Sequence, residues 1–115
     1  SQHTRAALRQ SVSPADIMLL EGVLAMSDPA TCEHGDYTIF VDTPLELCLA
    51  RRIERDAIQR GRSQASVRDF WETRAEPMFE QFVAPWRSEA DLVIDGSQTI
   101  DDELSRVRDW FQARV

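Results

Sequence analysis

The fold is decided where an apolar run gives way to a helix start, in the stretch Tyr37-Thr38-Ile39-Phe40-Val41-Asp42-Thr43-Pro44-Leu45-Glu46. The run 37–42 is short, rich in β-branched and aromatic residues and closed by a carboxylate, which is typical of a buried strand in a parallel sheet. Thr43 and Glu46 have the spacing of a capping box, with Pro44 at the first helical position. The stretch therefore predicts a strand that leads directly into a helix.

Two further apolar runs repeat this pattern on either side. They are Asp16-Ile17-Met18-Leu19-Leu20-Glu21-Gly22 and Asp91-Leu92-Val93-Ile94-Asp95-Gly96. We predict three parallel strands that each finish in a carboxylate. Ligands of such sheets bind beyond the carboxyl ends of the strands, where Glu21 and Asp42 would lie.

The remaining segments carry helical patterns. A stripe at spacings of three and four predicts a helix whose apolar face meets the sheet, and Gly61 is a natural stop for it. A second helix is predicted from Ser66, with Pro77 kinking or dividing it. A third follows a cap at Thr99. The apolar positions of the first helix are Leu45, Cys48, Leu49, Ile53 and Ala57, and those of the third are Leu104, Val107 and Phe111.

This order of elements predicts an α/β fold, with a parallel sheet between layers of helices, in a single domain over residues 1–115. Parallel sheets need helices on both faces and neighbours for every strand, and three strands make a narrow sheet. We therefore expect a partial domain, completed by another polypeptide segment or chain. Because an unpaired sheet edge is a template for pairing, we also expect self-association.

Charge and composition argue against several classes of protein. The net charge is −7, which argues against a general nucleic-acid binder. No apolar run approaches the length of a membrane span, so a cytoplasmic location is the expectation. All 13 basic residues are arginine, which excludes an intact Gly-x-x-x-x-Gly-Lys-[Ser/Thr] phosphate loop within this sequence.

Five of the arginines lie within residues 51–62, against two acids, Glu54 and Asp56, which gives this short segment a charge of +3. Arg52 and Arg55 are three residues apart and therefore neighbours on one flank of the helix, where they can converge on one anion. The competing interpretation is that the arginines are solvated or paired with nearby acids. Phe70, like the other aromatic residues that follow, is assigned to the core in preference to a base-stacking platform.

The span 16–96 resembles the C-terminal portion of the uridine kinase and phosphoribulokinase family, within the P-loop NTPases. Strand ends Glu21-Gly22-Val23-Leu24 and Phe40-Val41-Asp42 are similar to two strands of that family. The most specific match is Arg51-Arg52-Ile53-Glu54-Arg55-Asp56 followed by Arg60-Gly61-Arg62, which resembles the family's arginine-rich lid. The resemblance implies a three-layer P-loop fold with a lid-like segment at residues 51–65.

The resemblance also implies roles for individual residues. Arg55 and Arg60 are similar to the arginines that reach the phosphates of ATP, and Arg52 and Arg62 to those near the acceptor. Glu21 resembles the carboxylate that helps to hold Mg²⁺, through water. One departure is that Phe70-Trp71 stands where the family has a glutamine and a tyrosine, which leaves the identity of the acceptor open.

Two functions remain at this point. In the first, the chain is the C-terminal part of an ATP-dependent kinase that phosphorylates a nucleoside or similar hydroxyl compound, and it is inactive alone because it has no phosphate loop. In the second, it is a non-catalytic module that binds anions or nucleotides, or regulates a partner chain.

Overall fold

A computed structural model describes residues 9–114. Helical elements precede, separate and follow the two strands of a small sheet. The elements are a 3₁₀ turn Ala25–Ser27, α1 Pro29–His34, β1 Ile39–Asp42, α2 Leu45–Arg60, α3 Gln64–Phe70, a π turn Trp71–Ala75, α4 Glu76–Phe82, a 3₁₀ turn Ala84–Glu89, β2 Leu92–Asp95 and α5 Ile100–Gln112.

The sheet consists of β1 and β2, which run parallel with Phe40 opposite Val93 and Asp42 opposite Asp95. Phe40 is buried, and so are Leu92 and Ile94 of β2. Because side chains alternate between the two faces and Phe40 is opposite Val93, Phe40 lies on the other face from Leu92 and Ile94, and both faces of the pair contribute to the core. Both strands end level with each other in a carboxylate. The parallel α/β pairing and the two strand positions agree with the sequence prediction.

The prediction of a strand at residues 16–22 is wrong. The segment has no strand pairing, and its apolar side chains are exposed, with Leu19 exposed to 87% and Ile17 to 71%. The physical reason is that a parallel strand needs hydrogen-bonding neighbours. Among residues 9–114, β1 and β2 pair only with each other, and no further strand bridges segment 16–22 to them. The three-layer sheet is therefore not formed within the described residues.

Helix α2 ends as predicted but starts differently. Gly61 takes up a left-handed conformation, with φ of 62°, and its N–H donates to the carbonyl of Asp56. At the other end Pro44 is the cap residue rather than the first helical residue, and the helix start has no side-chain capping hydrogen bond, so the predicted capping box does not form. Its apolar stripe is half-buried, except for Ala57, which is exposed.

The second predicted helix is divided at Pro77, as expected, although its start is two residues earlier. Ser63, and not Ser66, is the cap: its hydroxyl accepts a hydrogen bond from the Ser66 N–H. Pro77 has no N–H to donate to the preceding turn. The turn before it widens, so that the N–H of Glu76 reaches the carbonyl of Trp71, five residues back.

Helix α5 begins at the predicted cap, where the Thr99 hydroxyl accepts from the N–H of Asp102 at 3.1 Å. Of its predicted inner face, Val107 and Phe111 are half-buried as expected, whereas Leu104 is 51% exposed. At its far end, Tyr37 meets the rings of Trp110 and Phe111 edge-on.

Across residues 9–114, every helix is too short or too polar to cross a lipid bilayer.

Gly96 joins the sheet to α2. Its N–H donates to the carbonyl of Asp42 at 2.9 Å, and its carbonyl accepts from Arg51 Nη1 at 3.0 Å. A side chain at this position would overlap Thr43 Oγ1 and come within 2.9 Å of Val41. The residue is therefore required to be small.

We expect Gly96→Ala to lower the free energy of unfolding by about 1–3 kcal/mol, the usual cost of overpacking a filled site. Urea unfolding followed by circular dichroism measures it. Gly22→Ala is the matched control, because its new methyl group would meet only ordinary contacts at 3.9 Å. Equal stability of the two variants would contradict this account of Gly96.

Candidate anion-binding site

Four arginine side chains from α2 and the turn that follows it surround one buried carboxylate, that of Asp56, which has no exposed surface. Arg55 approaches most closely, with Nε at 3.0 Å and Nη2 at 2.9 Å from Oδ1. The other three guanidinium groups lie at 3.7–4.0 Å. We call Arg52, Arg55, Arg60 and Arg62 the arginine cluster.

Helix geometry explains the positions of three of these side chains. Arg52 and Arg60 lie four residues before and after Asp56, on the same face of the helix. Arg62 lies beyond the helix end and reaches the carboxylate because the chain turns back at Gly61. Its N–H donates to the Asp56 carbonyl at 3.1 Å. Asp56 thus organises the helix end with its backbone and the cluster with its side chain.

Helix α3 closes the cluster on its other side. Phe70 lies beneath two guanidinium groups, with its ring centre 5.0 Å from Cζ of Arg52 and 5.6 Å from Cζ of Arg62. These distances are those of cation–π contacts. Arg62 also donates from Nη2 to the Ser66 hydroxyl at 3.0 Å. Arg52 and Arg62 are therefore held between the acid and the ring.

The electrostatics of the site favour anions. Burial would raise the pKa of the Asp56 carboxyl, but the hydrogen bond from Arg55 and the charges of the surrounding arginines outweigh this effect and lower the pKa. The carboxylate is therefore ionised at neutral pH, and four guanidinium groups face one negative charge. Their side chains remain 27–57% exposed, so N–H groups are accessible to a ligand from solvent.

The structure brings together the four arginines predicted to bind ligand, but not every residue of the predicted site. Arg51 lies outside the cluster and donates to the Gly96 carbonyl. Glu21 lies in the exposed segment before the first 3₁₀ turn, away from α2 in sequence and in no hydrogen bond within the described residues. Residues 9–114 contain no group of three or more acidic, histidine or cysteine side chains placed to hold a metal ion.

Sequence reasoning missed the central role of Asp56, which it counted only among the acids that neutralise the segment. The signal was present in the spacing, since an acid with arginines four residues before and after it lies between them on one helix face. It also missed Phe70 as a platform for guanidinium groups, having assigned it to the core. Asp42, which ends β1, forms a salt bridge with Arg87 at 2.8 Å.

A concavity of about 350 Å³ lies between the start of α2 and the π turn. Three carboxylates surround its apolar floor and repel anions, so it is separate in chemistry from the arginine cluster. Its lining residues are Leu45, Glu46, Leu49, Trp71, Glu72 and Glu76.

Fold and site together define the class, an α/β protein with a parallel strand pair and a helix that carries a cationic cluster suited to phosphate groups. The model of the phosphoribulokinase/uridine kinase family matches residues 1–102. The chain belongs to this family.

Similarity to individual uridine kinases supports the assignment to this family. The chain is similar to a uridine kinase of Cronobacter sakazakii, 42% identical over 93 residues, which are 81% of this chain and 44% of the relative. It is also similar to a uridine kinase of Ligilactobacillus salivarius, 36% identical over 118 residues, which cover 99% of this chain and 55% of the relative. The chain spans about half the length of the curated relatives it matches.

We expect the Asp56 carboxylate to stabilise the fold in a pH-dependent way. Because its pKa is lower in the folded state, its contribution is complete above the ordinary aspartate pKa of about 4 and is lost as the pH falls through the folded-state value. Asp56→Asn should therefore be less stable than wild type at neutral pH, with the difference shrinking in acid.

Urea unfolding of both proteins across this pH range measures the difference. Glu54→Gln is the control, since it removes the same charge from an exposed position of α2. A gap between wild type and Asp56→Asn that stays constant from neutral to acidic pH would contradict the lowered pKa.

Proposed function

We propose that the chain is the C-terminal part of an ATP-dependent phosphotransferase of the uridine kinase type. In this function the arginine cluster binds the phosphates of the nucleotide while the phosphoryl group passes to a nucleoside or similar hydroxyl acceptor. The observation that carries the proposal is the convergence of four guanidinium groups on one buried carboxylate, an excess of positive charge in an otherwise acidic protein.

The chemistry of phosphoryl transfer suits this cluster. The transition state carries charge on the equatorial oxygens of the transferred group, and positioned guanidinium donors stabilise that charge. We assign Arg55 and Arg60 to the phosphates of ATP. Arg60 has the most exposed side chain of the cluster, at 57%, and the longest distance to Asp56, at 4.0 Å, so it has the greatest freedom to reach a ligand. Arg52 and Arg62, fixed against Phe70, are assigned to the acceptor side.

Catalysis also requires parts that these 115 residues do not contain. A phosphate loop with its lysine has to come from another segment or chain, because the sequence has no lysine. The same addition would supply the strands that complete a three-layer P-loop sheet. Mg²⁺, when bound, neutralises charge on the phosphates. Glu21 is the residue we propose to help hold it through water, since Mg²⁺ is usually bound by one or two carboxylates together with substrate phosphates.

The exposed segment before the first 3₁₀ turn is the surface we propose for that association. Leu19, Leu20 and Val23 are exposed to 87%, 69% and 78%. We call these three side chains, which are uncovered among the described residues, the apolar strip. Burying this strip and the free edge of β1 against further strands is favourable. A second copy of the chain would occupy the same surface when the completing segment is missing. We propose the cytoplasm, where ATP is available, as the site of action.

A non-catalytic nucleotide-binding or regulatory module is the second candidate. The observation that favours it is that residues 51–70 assemble the cluster by themselves, without a phosphate loop. Such a module would bind nucleotide in the absence of Mg²⁺ and would not gain activity when joined to a phosphate-loop segment.

We expect the chain to bind ATP saturably, and Arg60→Ala to weaken binding by about ten- to hundredfold, the loss expected for a charge-assisted hydrogen bond. Isothermal titration calorimetry without Mg²⁺ measures this. Arg108→Ala, which removes the same charge from an exposed position on α5, is the control and should bind as wild type does.

Phosphorylation of uridine and other nucleosides, assayed with the chain alone and joined to the N-terminal half of a uridine kinase relative, separates the two functions. Activity only in the joined form supports the kinase. Binding without activity in either form supports the module. No saturable binding of ATP by the isolated wild-type chain overturns the module, and no activity in the joined form overturns the kinase.

We expect the isolated chain to sediment as a dimer or larger species, and Leu19→Glu to shift it toward monomer because the charge opposes burial of the apolar strip. Sedimentation velocity at several concentrations measures this. Leu104→Glu, at an exposed leucine of α5, should leave the distribution unchanged. A wild-type chain that is monomeric throughout would contradict the proposed association.

A further inference from the structure

The Asp56 side chain is fully buried, and one of its two carboxylate oxygens, Oδ2, accepts no hydrogen bond. Pairing its charge with the arginines requires neither feature. The nearest guanidinium nitrogens to Oδ2 are Nη1 of Arg62 at 3.7 Å and Nε of Arg52 at 3.8 Å, beyond hydrogen-bonding distance. Arg52 Nε is itself buried without a partner. Burying a carboxylate oxygen without a hydrogen bond costs free energy, so a contribution to stability alone does not explain this arrangement.

We propose that Asp56 is a positioning residue for anion binding. It fixes the guanidinium groups of the arginine cluster in orientation, so that their remaining N–H groups meet the oxygens of a polyphosphate. This role rests on the proposed function, because it acts through the arginines assigned there to ligand.

The contacts of each arginine show how the orientation is set. Arg55 uses both Nε and Nη2 on the single oxygen Oδ1, which fixes the plane of its guanidinium group and leaves Nη1 for a ligand. Arg62 is held by Ser66 and Phe70 as well as facing Oδ2. The guanidinium group of Arg60 has Asp56 as its only recorded partner among the described residues, at 4.0 Å, so it is restrained least.

A purely electrostatic role and a positioning role of Asp56 predict opposite changes in anion affinity when the carboxylate is removed. If Asp56 acted only through its charge, replacing it by asparagine would make the cluster more positive by one unit and would strengthen anion binding. If it acts by orienting the arginines, the same change weakens binding despite the added positive charge, since the donors no longer point at one place. The sign of the effect therefore distinguishes the two roles.

The test compares Asp56→Asn with Glu54→Gln, which alters the charge of α2 by the same unit at an exposed residue outside the cluster. The probe is inorganic tripolyphosphate without metal, titrated by calorimetry at constant ionic strength. We expect Asp56→Asn to bind about tenfold more weakly than wild type. Glu54→Gln should bind equally well or more tightly.

Three outcomes are decisive. Asp56→Asn that binds as tightly as wild type, or more tightly, overturns the positioning role and leaves the proposed function intact. Wild type that does not bind tripolyphosphate overturns the proposed function, and the positioning role with it. Weaker binding by a folded Asp56→Asn variant, with Glu54→Gln unimpaired, supports both.

A measurement on wild type covers the case in which Asp56→Asn fails to fold. The Nε–H of Arg55 faces Oδ1 at 3.0 Å and should exchange slowly with solvent in nitrogen-15 NMR spectra. A positioning role requires that this protection persists when tripolyphosphate is added. Loss of protection on binding would show that the anion displaces the carboxylate, and would overturn the proposal.

Discussion

The arrangement depends on one interaction, the contact of a buried carboxylate with four guanidinium groups. Like charges at this spacing repel one another, and in a partly buried site water screens that repulsion only weakly. Asp56 offsets part of it and draws the side chains together. It neutralises only one of the four charges, so the cluster keeps an affinity for anions. The same residue accepts the backbone hydrogen bonds that end α2, which makes the helix terminus and the site a single structure.

The sheet contributes to the site by fixing the start and direction of α2. β1 runs into the helix through two residues, and Gly96, after β2, binds both the end of β1 and Arg51 of the helix. The helix is therefore attached at the carboxyl edge of the sheet, and the arginine cluster begins at Arg52, about two turns along the helix from Leu45. An arginine-bearing helix without this attachment would carry the same charges with no fixed direction. The small sheet thus determines where the charge is placed.

Much of this could be predicted from the sequence, because the signals were local. The strands at Phe40 and Ile94, the left-handed stop at Gly61 and the cap at Thr99 each depend on a few adjacent residues. Segment 16–22 has the same local pattern as the strands. Strand pairing, however, depends on a partner that is distant in sequence, and sequence periodicity does not reveal it. The four arginines were found from their spacing and from the family resemblance. The depth of Asp56 and the stacking on Phe70 were not, since both depend on how α3 folds back over α2.

The π turn at Trp71–Ala75 changes the direction in which side chains point along the helical segment from Gln64 to Phe82. A turn that holds an extra residue shifts every later side chain by about 100° around the axis. Phe70, before the π turn, lies against the arginines, whereas Phe82, at the end of α4, contacts the first 3₁₀ turn, where the Ser27 hydroxyl donates to the Phe82 carbonyl. The helical segment therefore serves two contacts at once, one to the arginine cluster and one to the first 3₁₀ turn, without a break in its backbone.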